Sequence, residues 1–239
     1  MRVGSKSERG PQQGTRAARA IVCLVALYCG AVEGGAAPLM PPDIANPISL
    51  DAASFHAVPF ANKTPTIYQI DGVGLRCVVK ASASMLLWSF AKARAIGGLK
   101  WQWRHEGEIR GSQAARERTK AGDDGLLKVA VLIEGPSPLV PFLAPAWLRQ
   151  IKALLQVSAQ QVEVYQAGAF NQHGSAWPSP YADSITMHAV ESVAGREGWL
   201  DVTVTWPRPV AAAGLWLMAD GDDTASTFIS WIRDLQVLP

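Results

Sequence analysis

Residues 99–134 read LKWQWRHEGEIRGSQAARERTKAGDDGLLKVAVLIE and contain two strand-like runs joined by a polar segment. In the first run, Trp101 and Trp103 share one face with a leucine, and polar residues occupy the other face. In the second run, residues 127–133, apolar residues at every second position alternate with a set that includes Lys128. Alternation with a period of two is typical of half-buried β-strands. The stretch therefore predicts two strands, each with one face in a core.

Turn and loop signals divide the chain around these two strands. Gly97 and Gly98 predict a turn immediately before the tryptophan strand. Residues 105–125 mix basic and acidic side chains, which predicts a solvated loop or a short helix. A loop that contacts a ligand is the alternative interpretation of this segment.

The same alternation recurs along the chain, as in residues 199–206 (WLDVTVTW), with turn residues about every 8–15 positions. Helical spacing is convincing only in residues 145–157 (PAWLRQIKALLQV), which we expect to pack over an open edge or end of a sheet. Many short strands with regular turns favour a sandwich over alternating strand and helix units. The predicted fold is therefore all-β, an antiparallel jelly-roll-like β-sandwich with one short α-helix.

The first 36 residues have the pattern of a secretory signal peptide. A basic segment ending at Arg19 precedes 13 mostly apolar residues, 20–32, and small residues follow. An apolar stretch of this length suits a signal peptide and is short for a membrane span. We expect cleavage after Ala36, a periplasmic or secreted location, and no stable transmembrane span after cleavage. A retained N-terminal anchor is the alternative. Residues 37–65 then form an extended Pro-rich lead-in to a β-sandwich domain at 66–239.

Composition narrows the function classes further. Residues 37–239 contain 17 basic and 18 acidic residues, so the mature chain is nearly neutral. Nucleic-acid binding depends on neutralising phosphates, and a neutral domain offers no electrostatic basis for it. Cys77 is the one cysteine beyond the predicted signal peptide. We expect it to be a buried, inert thiol, because a reactive cysteine needs an electropositive and accessible setting.

Three blocks of sequence, taken in order, resemble a known family. They are the strand at 99–104 with Gly122, Asp123 and Asp124; Ser179-Pro180-Tyr181 with Gly198-Trp199; and residues 218–224 with Trp231 and Asp234. Together with the exported N-terminus, they resemble the bacterial domain-of-unknown-function family number 3047, over roughly residues 66–238. The resemblance implies a bacterial envelope or secreted protein with a sandwich akin to carbohydrate-binding modules, and no settled activity.

Two acidic clusters are candidate chemical groups. They comprise Asp123, Asp124, Asp220, Asp222 and Asp223. Their simplest role is to shape turns through bonds from side chain to backbone. A structural calcium ion is a second hypothesis, because hard cations bind several carboxylate and carbonyl oxygens. Glycoside hydrolysis by two carboxylates is a third, and it requires the clusters to converge across a cleft.

Aromatic residues provide the other functional signal. Nine tryptophans is a heavy load for this length, and Trp177 differs from the rest because it lies in a predicted loop. The polar residues Asn171, Gln172 and His173 precede it in the same loop. These four residues are our candidate ligand-binding surface, in which the tryptophan face stacks on a sugar ring. A loop that is simply anchored by its tryptophan is the alternative.

The sequence contains no nucleophile elbow, phosphate-binding loop or zinc spacing, so it predicts no catalytic residue. We expect an exported, non-catalytic binding module whose partner is a polysaccharide or another cell-envelope component. One alternative is a glycan-acting hydrolase that uses the aspartate carboxylates. The other is a structural envelope protein that binds a protein partner through its sheet.

Overall fold

A computed structural model describes residues 46–50, 54–111, 113–136 and 144–239. The elements in these residues are β1 (Asn46–Pro47), β2 (His56–Pro59), β3 (Ile67–Ile70), β4 (Leu75–Lys80), β5 (Ser84–Glu108), a 3-10 helix (Arg116–Arg118), β6 (Gly125–Glu134), α1 (Ala146–Leu154), β7 (Ala159–Ala167), β8 (Ala176–Ser179), β9 (Ala182–Val190), β10 (Val193–Ala194), β11 (Leu200–Asp220) and β12 (Thr227–Leu238). The signal peptide predicted at 1–36 lies outside the described residues. No helix within them is long and apolar enough to cross a membrane.

The strands join in one sheet whose order is β3-β4-β12-β5-β11-β6-β7-β9-β8. Three further short strands pair with inner strands of this order, β1 with β12, β2 with β5 and β10 with β11. The predicted all-β, sandwich-like class is confirmed. Pairing is antiparallel throughout the described strands except between β7 and β9, which are parallel. Purely antiparallel pairing was therefore the wrong prediction at this pair. The reason is that the chain leaves β7, forms β8 at the outer edge, and returns through β9 between them.

Each face of the sheet carries its own buried apolar core. On one face of β5, Trp101 and Trp103 are at most 1% exposed, which confirms the predicted buried face of that strand. On the other face, residues of β5, β6, β7, β9 and β11 form a cluster that Leu148 and Ile151 of α1 join. The helix thus covers a face of the sheet, not an edge or end. Because both faces of the sheet are covered here, β6 is buried on both sides. The prediction that only one face of this strand lies in a core is therefore wrong.

The predicted turn at Gly97 and Gly98 does not occur, because β5 continues through both glycines. A Cβ atom on Gly97 would lie 2.0 Å from the backbone oxygen of Pro239. A Cβ atom on Gly98 would lie 2.2 Å from the backbone oxygen of Val204. The two glycines therefore allow close approach of neighbouring backbones within the sheet, a second common reason for glycine in a strand.

The described part of the Pro-rich lead-in contributes strands to the sheet. β1 pairs with β12, and β2 pairs with β5 through residues such as Val58, which is fully buried. Cys77 in β4 is also fully buried and unpaired, as predicted. Burial raises the pKa of its thiol to about 12, so the thiol is protonated at neutral pH.

The segment between β5 and β6 is held down by one buried carboxylate. Glu117, in the 3-10 helix, is 1% exposed. Its Oε1 accepts hydrogen bonds from Gln166 Nε2 (2.6 Å) and Phe170 N (3.1 Å). Its Oε2 accepts from the backbone N (2.9 Å) and the Nδ2 (2.5 Å) of Asn171. The segment is thus anchored at its centre to β7 and to the loop that follows it.

Replacing Glu117 with alanine should lower the free energy of unfolding by about 2–4 kcal/mol, because four donors lose a charged acceptor. Urea denaturation of the two proteins measures this difference. Glu106→Ala is the matched control, since Glu106 is exposed in the adjoining strand, and it should change stability by less than about 0.5 kcal/mol. Equal losses in the two variants would contradict the anchoring role.

Candidate functional site

A pocket of about 270 Å³ lies on the face of the sheet that carries α1. Its apolar lining comes from distant parts of the chain and includes Phe60, Met85, Trp147, Met187, Trp216 and Met218. All three methionines of the described residues are among them. The Trp147 ring meets Trp216 and Tyr181 edge-on, with centroids 6.0 and 6.3 Å apart. Ligand pockets commonly measure about 300–1,000 Å³, so this one suits a small molecule.

The lining of the pocket also includes six charged residues, and one of them is the buried Lys128. The lysine is 2% exposed. Its Nζ is 3.4 Å from Asp123 Oδ2 and 3.2 Å from Asp220 Oδ2, and it donates to the backbone oxygen of Asp123. A buried ammonium group is tolerated only where acceptors and opposite charges replace water. The two aspartates provide both.

Strand register explains why these three groups meet. In the pairing of β6 with β11, Lys128 lies opposite Met218 and Gly125 lies opposite Asp220. Lys128 and Asp220 are therefore diagonal neighbours on one face. Gly125 N donates to Asp220 Oδ1 (2.9 Å), and a Cβ atom on this glycine would come within 2.6 Å of Lys128 Cε. Glycine at the start of β6 thus leaves room for the lysine to turn back toward Asp123.

Burial and charge shift the titration of the pocket residues. Burial raises the pKa of Asp123 to about 6, against the opposing effect of the nearby Lys128 cation. Burial alone would lower the pKa of Lys128, but the carboxylates of Asp123 and Asp220 outweigh it and raise this pKa above its usual value. Burial and the same carboxylates raise the pKa of Tyr181. Burial also raises the pKa of Asp220 well above its usual value, against the opposing effect of Lys128. Lys128 is thus a cation at neutral pH, whereas both of its carboxylate partners take up a proton more readily than an exposed aspartate does.

The other aspartates form a second group beside the first. Asp124 accepts hydrogen bonds from Asp223 N (3.2 Å), Thr224 N (2.7 Å) and Thr224 Oγ1 (2.5 Å), so it shapes the loop between β11 and β12. Lys63 forms ion pairs with Asp222 and, at 3.6 Å, with Asp223 Oδ1. Turn formation, the simplest predicted role, is what Asp124 performs.

Asp124, Asp222 and Asp223 each offer a carboxylate oxygen, and these oxygens lie within 4.8 Å of one another. These three aspartates could hold a cation, whereas Asp123 and Asp220 are engaged with Lys128. Calcium prefers six to eight oxygen ligands, and Lys63 already compensates two of these carboxylates. Calcium binding stays a prediction.

Two buried polar atoms of the pocket residues have no hydrogen-bond partner among the described residues. They are Asp123 Oδ1, an acceptor, and Trp216 Nε1, a donor. Asp123 is 7% exposed and Trp216 is 3% exposed. Buried polar groups are nearly always paired, so both atoms are exceptions. Each has less than 1 Å² of accessible surface, so a ligand in the pocket pairs with it only when the side chain of Asp123 or Trp216 turns toward the pocket. A hydroxyl group satisfies both kinds of atom, because it donates and accepts.

The predicted ligand-binding residues lie elsewhere, and none of the four lines this pocket. Trp177 belongs to β8, not to a loop, and is 3% exposed, with the Arg118 guanidinium 5.5 Å from its ring centre. Asn171 is buried against Glu117. Gln172 and His173 are exposed. Binding at these four residues stays a separate prediction, although Trp177 does not offer an exposed ring face.

Sequence reasoning missed Lys128 and the aromatic wall of the pocket, which Trp147 and Trp216 form. Lys128 interrupts an otherwise apolar strand, and that single anomaly was a usable signal. Trp147 and Trp216 come from distant parts of the chain, and no sequence pattern joins them. Lys63 lies in the lead-in and gave no signal of its own.

The stability difference between the wild type and Asp123→Asn should depend on pH. The folded-state pKa of Asp123, about 6, exceeds the usual value of about 3.9 for an unfolded chain. The folded protein therefore holds this proton more tightly, and raising the pH from 4 to 7 removes that stabilisation. Over this range the free energy of unfolding of the wild type should fall by up to about 3 kcal/mol relative to that of Asp123→Asn. Urea denaturation at each pH measures this difference.

Asp234→Asn is the control for this titration, because the Asp234 side chain is 63% exposed. Its free energy of unfolding should differ from that of the wild type by less than about 0.5 kcal/mol. A stability difference for Asp123→Asn that does not change between pH 4 and 7 would contradict the raised pKa.

Comparison with known proteins identifies the family of the chain and gives no named relative. The family model described as Protein of unknown function (DUF3047) matches residues 53–236. This range includes every charged residue of the pocket, from Lys63 to Asp223. No curated protein and no solved structure matches the chain. The match covers most of the 239 residues, so the chain belongs to the DUF3047 family, as its sequence blocks predict.

Proposed function

We propose that this protein is an exported, non-catalytic binding module whose pocket holds one sugar-sized unit of a glycan or another cell-envelope polymer. The observation that carries the proposal is the pair of unpaired buried atoms, Asp123 Oδ1 and Trp216 Nε1, in residues that line one pocket. The predicted signal peptide supports the exported location.

A sugar ring matches the chemistry of this pocket. Its hydroxyl groups can donate to the Asp123 carboxylate and accept from the Trp216 indole. Its carbon–hydrogen faces are apolar and can pack on the aromatic side chains of Trp147 and Tyr181. The apolar wall and the few polar groups together follow the usual design of a small-molecule site.

The volume of the pocket favours one ring over a long chain. At about 270 Å³ it lies just below the common range for ligand pockets, about 300–1,000 Å³. An extended polysaccharide would need an open groove along the sheet. The preferred ligand is therefore a free monosaccharide or the terminal unit of a polymer.

Calorimetric titration of residues 37–239 with glucose, galactose, mannose, N-acetylglucosamine and glucosamine tests the proposal. We expect at least one to bind, and Trp216→Phe to weaken it about 3–10-fold, since one hydrogen bond contributes about 0.5–1.5 kcal/mol. Trp177→Phe is the matched control. Its indole nitrogen is also buried and unpaired, but the residue lies outside the pocket.

Unchanged affinity in Trp177→Phe alongside the loss in Trp216→Phe would support the pocket. The reverse pattern would move the site to residues 171–177. Failure of every sugar to bind would reject the proposal.

Hydrolysis of a glycan is the second candidate, favoured by the titration of Asp123. A general acid needs a carboxyl group that is protonated near working pH, and its partner must be ionised. Asp123 has a pKa of about 6 and shares the pocket with Asp222 and Asp223. Release of reducing ends from oligosaccharides, lost in folded Asp123→Asn, would establish this activity. Binding without any product would favour the non-catalytic module.

A further inference from the structure

The charges that line the pocket do not balance. Four aspartates and two lysines contribute to the lining: Asp123, Asp220, Asp222, Asp223, Lys63 and Lys128. Each lysine lies between two carboxylates. When all six groups are ionised, the lining carries an excess of two negative charges. Burial raises the pKa of Asp220 well above its usual value, and protonation of this carboxyl group leaves an excess of one. Just outside the lining, the negative charge of Asp124 is offset by the positive charge of Lys120, which lies over the Tyr181 ring.

The pocket has the other features that favour an organic cation. Asp123 is more than nine-tenths buried, its Oδ2 faces Lys128, and its Oδ1 has no partner. A carboxylate oxygen in this setting forms strong charge-assisted bonds with an ammonium group. Aromatic faces attract cations as well, and Lys120 already lies 5.7 Å from the centre of the Tyr181 ring.

We infer that the pocket selects a ligand with a protonated primary amine, such as an amino sugar, over the same ring with a hydroxyl or an acetamide. This inference rests on the proposed function and narrows its ligand class. The ammonium group donates to Asp123 Oδ1, and a ring hydroxyl accepts from Trp216 Nε1. A neutral sugar can form the same number of hydrogen bonds, but it leaves the excess negative charge uncompensated.

Calorimetric titration at pH 7.0 and low ionic strength with glucosamine, glucose and N-acetylglucosamine tests the inference, because the three differ at one position of one ring. We expect glucosamine to bind at least 10-fold more tightly than glucose, and N-acetylglucosamine to bind no better than glucose. Asp123→Asn should abolish the preference for the amine while glucose binding persists.

Two further variants keep the test decisive. Asp223→Asn, at a partly exposed position, should reduce the preference about 2–3-fold even where Asp123→Asn fails to fold. Asp234→Asn removes an equal charge at a residue outside the pocket and should leave the preference unchanged. Equal binding of glucose and glucosamine to the wild type would overturn the inference and leave the proposed function standing. Binding of none of the three sugars, nor of the other sugars tested above, would overturn both.

Discussion

The ammonium group of Lys128 is a charge buried in the middle of an apolar sheet, and the surrounding structure depends on keeping it compensated. Removing such a charge from water costs several kcal/mol unless carboxylates and carbonyl oxygens replace the solvent. Asp123 and Asp220 supply these carboxylates. Asp123 lies at the end of the connection from β5 to β6, and Asp220 is the last residue of β11. The ion pairs therefore link the register of β6 and β11 to the position of the preceding loop.

This compensation also gives the pocket its chemistry. Lys128 engages one oxygen of Asp123 and leaves the other without a partner. The same residue is thus part of the fold and, in the function we propose, the acceptor for a ligand. A second lysine, Lys63 in the lead-in, forms ion pairs with Asp222 and Asp223 in the same way. Its side chain is 40% exposed. The inner ion pairs fix the pocket, whereas the outer pairs lie where solvent and ligands reach them.

The sequence predicts the fold class well, because alternation and turns depend on local residues. The strand containing Trp101 and Trp103, and the buried Cys77, follow directly from such patterns. Alternation shows which residues share a face, but not whether another element covers the second face. Lys128 was for this reason placed on an open face, whereas it is 2% exposed, and its face of the sheet also carries the apolar cluster that α1 joins. The covering elements are distant in sequence, so their packing could not be predicted.

The candidate site was predicted only in part, for a related reason. All five aspartates were identified, and the structure divides them between one buried lysine and one loop. Trp177 was predicted to bind a ligand because its polar and glycine-rich neighbours indicate a loop. It lies instead in β8, a short strand at the edge of the sheet. Trp147 and Trp216 form the aromatic wall instead, and they meet because a helix and a strand pack across the sheet. Proximity of this kind arises from tertiary packing and leaves no trace in residue spacing.

The most direct test of a ligand in this pocket is the NMR signal of the Trp216 indole N–H, assigned by its absence in Trp216→Phe. Titration of the wild type with glucosamine should shift this signal progressively to saturation, because its unpaired donor gains an acceptor. The Trp177 indole signal should stay in place, since that residue lies outside the pocket. A Trp216 signal that stays fixed while glucosamine binds, or that moves less than the Trp177 signal, would contradict the account.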